Sequence, residues 1–131
     1  MKLEAKDLRY GNKLFFLGEV VTFRNVSRFR KDGVFWIKTI ESVIENKSFH
    51  FRPIQLTEDW LVRCGFEKTK EYFELFKNDE YFISYNVITQ QLGIFINNTR
   101  GIRYWIDCKY VHKLQNLIYE LEDIELTIKT E

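Results

Sequence analysis

The clearest pattern in the chain lies near its end. Between Tyr110 and Leu121 the apolar residues Val111, Leu114, Leu117, Ile118 and Leu121 recur at the spacing that lines up one face of an α-helix. This predicts an amphipathic helix near 109–121. The first half of the chain alternates instead. Val21, Phe23 and Asn25 share one parity and Val20, Thr22, Arg24 and Val26 the other, as in a strand whose faces meet different surroundings. Strands are predicted over 13–16, 19–27, 34–40 and 48–52. Lys31-Asp32-Gly33 supplies a hairpin turn. Pro53 ends the last of these strands, because it has no N–H to give a ladder.

A short helix near 57–64 follows. Thr57 is its N-cap, Glu58 and Asp59 suit the positive end of the helix dipole, and Gly65 suits the left-handed position after the last turn. Leu56 and Leu61 have the spacing of a hydrophobic staple. Strands are predicted again over 70–76, 81–88, 92–97 and 102–106, with turns at 77–80, 89–91 and 97–101. Residues 125–129 add an edge strand or trail off. The expected fold is α+β, a mainly antiparallel sheet of about six to eight strands with two helices, the C-terminal helix packed across one sheet face. The N-terminal strands are short enough to curl into an SH3-like barrel.

Composition narrows the class. The 131 residues suit a single domain spanning 1–131. A chain of this size buries roughly two-thirds of its unfolded surface, so it needs no metal or disulfide staple. Twelve Phe, seven Tyr and three Trp provide an aromatic core inventory, and one Pro with six Gly argues against disorder. Charge divides mildly along the chain. Residues 1–65 carry twelve Lys/Arg against eight Asp/Glu, and residues 66–131 carry eight against eleven. That dipole alone is too weak to specify a polyanion partner. Two cysteines make no disulfide framework. The opening Met1-Lys2-Leu3-Glu4-Ala5-Lys6-Asp7 has no apolar core of a leader, and no apolar run approaches the ~18 residues of a membrane span. A reduced, cytoplasmic protein with no membrane contact is expected.

Two segments carry a family resemblance. Ile54-Gln55-Leu56-Thr57-Glu58-Asp59-Trp60-Leu61-Val62-Arg63-Cys64-Gly65-Phe66 resembles the motif PLTEEWLLKFGF. Tyr110-Val111-His112-Lys113-Leu114-Gln115-Asn116-Leu117-Ile118-Tyr119 resembles YVHQLQNLYF. Both look like an uncharacterised family of small proteins from phages and mobile elements of gut bacteria. Leu8-Arg9-Tyr10-Gly11-Asn12 and Gly18-Glu19-Val20 are similar to it as well. The chain departs from the pattern at Gln55, where the family has Pro, and at Glu122-Asp123-Ile124-Glu125-Leu126, where it has a Gly-bearing end. The resemblance implies a gene context and brings no chemistry.

Several chemistries fare poorly on residue type and spacing. His50, His112, Cys64 and Cys108 lack the CxxC or HxxxH spacing of a compact zinc site, so no metal site is expected. A Cys64 nucleophile assisted by His112 and Asn116 is conceivable on residue type. However, Cys64 lies at the C-terminal end of its helix, where the dipole raises a thiol pKa. Glu58 and Asp59 are explained by the helix start, and Glu120, Glu122, Asp123 and Glu125 read as a solvated acidic end. No phosphate-binding glycine loop is present. No catalytic residue is assigned, and the chain reads as a non-enzyme without a cofactor.

Two surfaces remain. His112, Gln115, Asn116 and Tyr119 form a contiguous polar strip on the C-terminal helix. The strip fits either a protein interface or bonds that tie the helix to neighbouring loops. In the hairpin, Arg24, Arg28 and Arg30 share a parity, so an unbulged strand would project all three from one face. Phe29 and Lys31 lie beside them. Such a surface can hold a phosphate backbone and stack a base. The leading expectation is a non-enzymatic protein-interaction module of phage or mobile-element origin, of a kind that could modulate a host factor, through an unidentified protein partner. The alternative is a single-stranded nucleic-acid-binding protein that uses Arg24, Arg28, Phe29, Arg30 and Lys31.

Overall fold

The computed structural model of the chain describes residues 3–69, 72–75, 81–96, 103–122 and 128. It is α+β, with two open antiparallel five-stranded sheets and two α-helices among the described residues. The chain divides into two compact units. The first comprises Met1–Gln55 with Tyr110–Asp123, and the second comprises Leu56–Lys109 with Ile124–Glu131.

The first unit holds β1 (Lys13–Phe16), β2 (Glu19–Phe29), β3 (Phe35–Thr39), β4 (Asn46–Lys47) and β5 (Phe51–Arg52) in the order β4-β3-β2-β1-β5. A 3₁₀ turn, Ser48–His50, separates β4 from β5. It occupies most of the strand expected over 48–52, of which only Phe51 and Arg52 pair, with Phe16 and Phe15. No ladder joins β4 to β5 among the described residues, so the sheet is open rather than closed into a barrel. The β2–β3 hairpin turns where expected, with Gly33 at φ +90° and the Asp32 carboxylate accepting the Val34 N–H at 3.2 Å.

The core of this unit is Leu3, Leu14, Val21, Phe23, Phe35, Ile37 and Phe51, with Val26 and Phe16 against it. In β2 both Phe23 and Val26 therefore point inward, although their sequence parity differs. Two register shifts explain this. The pairing with β3 slips between Phe23 and Asn25 and again between Val26 and Arg28, so Arg24 and Ser27 are extra residues without partners across the ladder. Each bulge bends the strand and exchanges the faces beyond it.

The closing helix, α2 (Val111–Glu122), also belongs to the first unit and packs against β1. Val111, Leu114 and Ile118 are fully buried, as their spacing predicts. The helix starts from a tether at Ile54 and Gln55. The Val111 N–H donates to the Ile54 carbonyl at 2.9 Å, and Gln55 bridges to Tyr110. Of its expected end, residues 123–126 lie outside the described residues.

In the second unit, α1 (Glu58–Arg63) begins at Thr57, whose hydroxyl accepts the Trp60 N–H. It ends with Gly65 at φ +96°. Strands β6 (Glu67–Lys68), β7 (Phe73–Leu75), β8 (Tyr81–Asn86), β9 (Gln91–Ile96) and β10 (Arg103–Asp107) form a sheet in the order β10-β9-β8-β7-β6. Phe73, Ile83, Tyr85 and Leu92 are buried, and the buried Tyr85 hydroxyl donates to the Cys108 carbonyl at 2.6 Å. The other face carries Phe82 stacked on Phe95, and Trp105 edge-on to Phe95, lying over Gly93. The turns expected at 77–80 and 97–101 and most of the strand expected at 125–129 fall outside the described residues. Strands β4 and β6, two residues each, are too short to leave a period in the sequence.

Candidate functional site

The polar strip on α2 is turned inward. His112 and Gln115 are buried, Asn116 is half-buried, and Tyr119 is 37% exposed. The amides of Gln115 and Asn116 hold the segment that leads into β1. Gln115 accepts the Lys13 N–H through Oε1 at 2.8 Å and donates through Nε2 to the Gly11 carbonyl at 2.9 Å. Asn116 donates to the Asp7 carbonyl and accepts from the Asn12 side chain, both at 2.8 Å. Asn12 in turn accepts the Arg9 N–H at 2.7 Å. Lys113 pairs with Asp7 at 3.2 Å, and the Arg9 guanidinium lies 4.1 Å from the centre of the Tyr119 ring. Of the two uses the strip allows, the geometry takes the internal one. The segment bonds to Phe23 of β2 on one side, through the Gly11 N–H and the Asn12 carbonyl, and the helix side chains satisfy backbone groups that this pairing leaves over.

His112 is different. Neither ring nitrogen has a hydrogen-bond partner among the described residues. Burial, with a smaller push from Lys113, brings its pKa down to about 4 against a weaker pull from Asp7. It is a neutral imidazole at neutral pH. Cys64 is buried in the second unit, and burial pushes its thiol up to about 12, the reverse of what a nucleophile needs.

The hairpin residues lie at the surface. Arg24, Arg28, Phe29, Arg30 and Lys31 are all exposed, but the bulges break the single row that their parity suggests. A different row replaces it. Arg28 in β2 stands opposite Trp36 in β3, and Trp36 stands opposite Lys47 in β4. The Arg28 guanidinium lies 4.1 Å from the centre of the indole, and Arg30 and Lys47 each lie 5.9 Å from it. The Lys47 ammonium is also 5.8 Å from the ring of Phe49, which is 61% exposed and packs on His50. The sheet and the 3₁₀ turn after β4 therefore present cation, aromatic, cation and aromatic groups from Arg28 through Trp36 and Lys47 to Phe49. Phe29 is 67% exposed and only grazes Phe35, with ring centres 6.0 Å apart.

Two carboxylates meet this surface. Glu45 pairs with Arg28 at 3.2 Å and accepts the Ser27 hydroxyl through its other oxygen. Asp32 pairs with Arg30 in the turn, which raises the pKa of Arg30 and lowers that of Asp32. Between Arg24 and Lys47 there are six Lys/Arg and three Asp/Glu. The third acid, Glu41, is committed to the Thr22 N–H and hydroxyl at 2.7 Å each. Sequence reasoning found the arginines and missed Trp36, Lys47 and Phe49. Trp36 lies on the outer side of a strand whose alternation was visible, so its parity opposite to Phe35 and Ile37 was the available signal. The pairing with Lys47 depends on β4 and left none. No helix among the described residues is long and apolar enough to cross a membrane. No family model, curated protein or solved structure matches the chain.

Proposed function

We propose that the chain is a non-enzymatic, cytoplasmic single-stranded nucleic-acid-binding protein of phage or mobile-element origin. The resemblance of two segments supports the origin, and the buried Cys64 thiol fits a reducing compartment. One observation carries the binding reading, the cross-strand row Arg28–Trp36–Lys47 continued by Phe49. A single strand offers alternating phosphates and unstacked bases. Cations engage the first and aromatic faces engage the second without sequence preference. Neighbouring strands lie ~4.8 Å apart, which sets the row at a scale that one or two nucleotides span.

Fluorescence anisotropy of a labelled oligothymidylate at low salt tests this. Binding is expected, with W36A weakening it about 5- to 150-fold, the equivalent of the ~1–3 kcal/mol a stacked base contributes. Trp36→Phe, which keeps an aromatic face, is expected to restore part of the loss. Replacing Arg28, Arg30 and Lys47 together by Ala should flatten the slope of log K against log salt by about 2, at ~0.7 per phosphate contact in single strands. Absence of binding at low salt, or binding indifferent to these changes, overturns the reading.

A protein-interaction module is the second reading. It is favoured by the β3–β4 loop, where Ile40 is exposed, Val43 is 95% exposed and Ile44 is 67% exposed. Isolated apolar side chains are ordinary at a surface, whereas three within five residues form a patch. Under this reading a protein is retained from nuclease-treated host lysate by the wild type and lost with a Val43→Ser, Ile44→Ser double variant.

A further inference from the structure

We infer that Glu45 is a built-in competitor for phosphate at Arg28 and sets the affinity of this face for polyanions. The inference rests on the nucleic-acid reading above and deepens it. Glu45 reaches Arg28 through the guanidinium Nε at 3.2 Å. No other carboxylate among the described residues pairs with Arg28. An incoming phosphate must therefore approach a cation that already has an anion beside it. Either the phosphate displaces the carboxylate, or the two negative charges share one guanidinium. Both routes cost affinity.

The geometry favours displacement. The carboxylate is held from its other side, where the Ser27 hydroxyl donates to the second oxygen. Ser27 stands at this point because the bulge between Val26 and Arg28 inserts it as an unpaired residue beside Arg28. Once Arg28 turns to phosphate, Glu45 keeps the Ser27 bond and is not stranded. Arg28 also keeps its seat over Trp36, where the ring–guanidinium contact at 4.1 Å is independent of Glu45. The exchange replaces one anion by another at a fixed cation. Asp32 pairs with Arg30 and is likewise anchored, by the Val34 N–H, but Arg30 lies 5.9 Å from the centre of the indole against 4.1 Å for Arg28, so the competition at the centre of the row falls to Glu45.

The test uses the full chain and the same labelled oligothymidylate at several salt concentrations. Glu45→Gln removes the charge and keeps an oxygen for Ser27. It is expected to bind about two- to five-fold tighter, the scale of an exposed ion pair, with a salt slope steeper by up to about 0.7. Ser27→Ala removes the alternative partner of the carboxylate and leaves it wholly to Arg28, so weaker binding is expected. Glu19→Gln is the charge control. It lies nine residues up β2, far beyond the ~8–10 Å over which salt leaves a charge felt, and should change little. If the wild type binds and Glu45→Gln is no tighter, or Glu19→Gln tightens equally, this inference falls and the binding reading stands. If neither the wild type nor Glu45→Gln binds at low salt, both fall.

Discussion

Gln115 fastens α2 to the segment before β1, and replacing it tests how much of the first unit depends on that bond pair. Gln115→Leu keeps the approximate size and an apolar body. It removes an acceptor from the Lys13 N–H and a donor from the Gly11 carbonyl, at 2.8 and 2.9 Å. Each orphaned group costs about 1–3 kcal/mol when fully buried. Gly11 and Lys13 are half-buried, so the lower part of the range applies to each. Burying Leu in place of an amide returns up to ~1 kcal/mol of the loss. The net expectation is a destabilisation of about 2 kcal/mol. Urea unfolding followed by circular dichroism should show a lower midpoint at an unchanged slope, which identifies a change in stability rather than in the extent of unfolding. Amide exchange should accelerate at Lys13 before it does in the β2–β3 hairpin. A loss under ~0.5 kcal/mol would show that water replaces both bonds at no cost and would refute the reasoning.

His112, one turn away on the same helix, should respond with the opposite sign. It is buried without a partner for either ring nitrogen, so His112→Leu is expected to be neutral or stabilising by about 1–2 kcal/mol, read from the same urea curves. The folded-state pKa of His112 is about 4, below the usual 6.5. The unfolded chain therefore binds more protons between these values, and its contribution to stability is constant above pH ~6.5 and falls as the pH drops toward 4, by roughly 3 kcal/mol. His112→Leu should remove that part of the acid sensitivity, and an unchanged pH profile would count against it. In the second unit, Gly93→Ala should destabilise by about 1–2 kcal/mol. A Cβ there would lie 2.7 Å from the Trp105 ring and 2.9 Å from the Phe95 ring. Thermal unfolding, with near-ultraviolet dichroism to follow Trp105, measures it.

Local periodicity settled much of this protein. Val111, Leu114 and Ile118 marked the buried stripe of α2, Thr57 and Gly65 marked the ends of α1, and Lys31-Asp32-Gly33 marked the hairpin. Each depends on backbone geometry or side-chain direction within a few residues, which the order of residue types encodes. What α2 rests on is a different kind of fact. The helix returns to the first unit across more than fifty intervening residues, and only that return decides that Gln115 and Asn116 face a loop rather than a partner. The bulges at Arg24 and Ser27 likewise decide which arginines share a face. Sequence parity assumes an unbroken ladder, and an inserted residue exchanges inside for outside. Trp36 and Lys47 become neighbours through a two-residue strand too brief to show a period. Residue order marked the longer elements and their ends, while long-range pairing added the two-residue strands and chose which side chains meet.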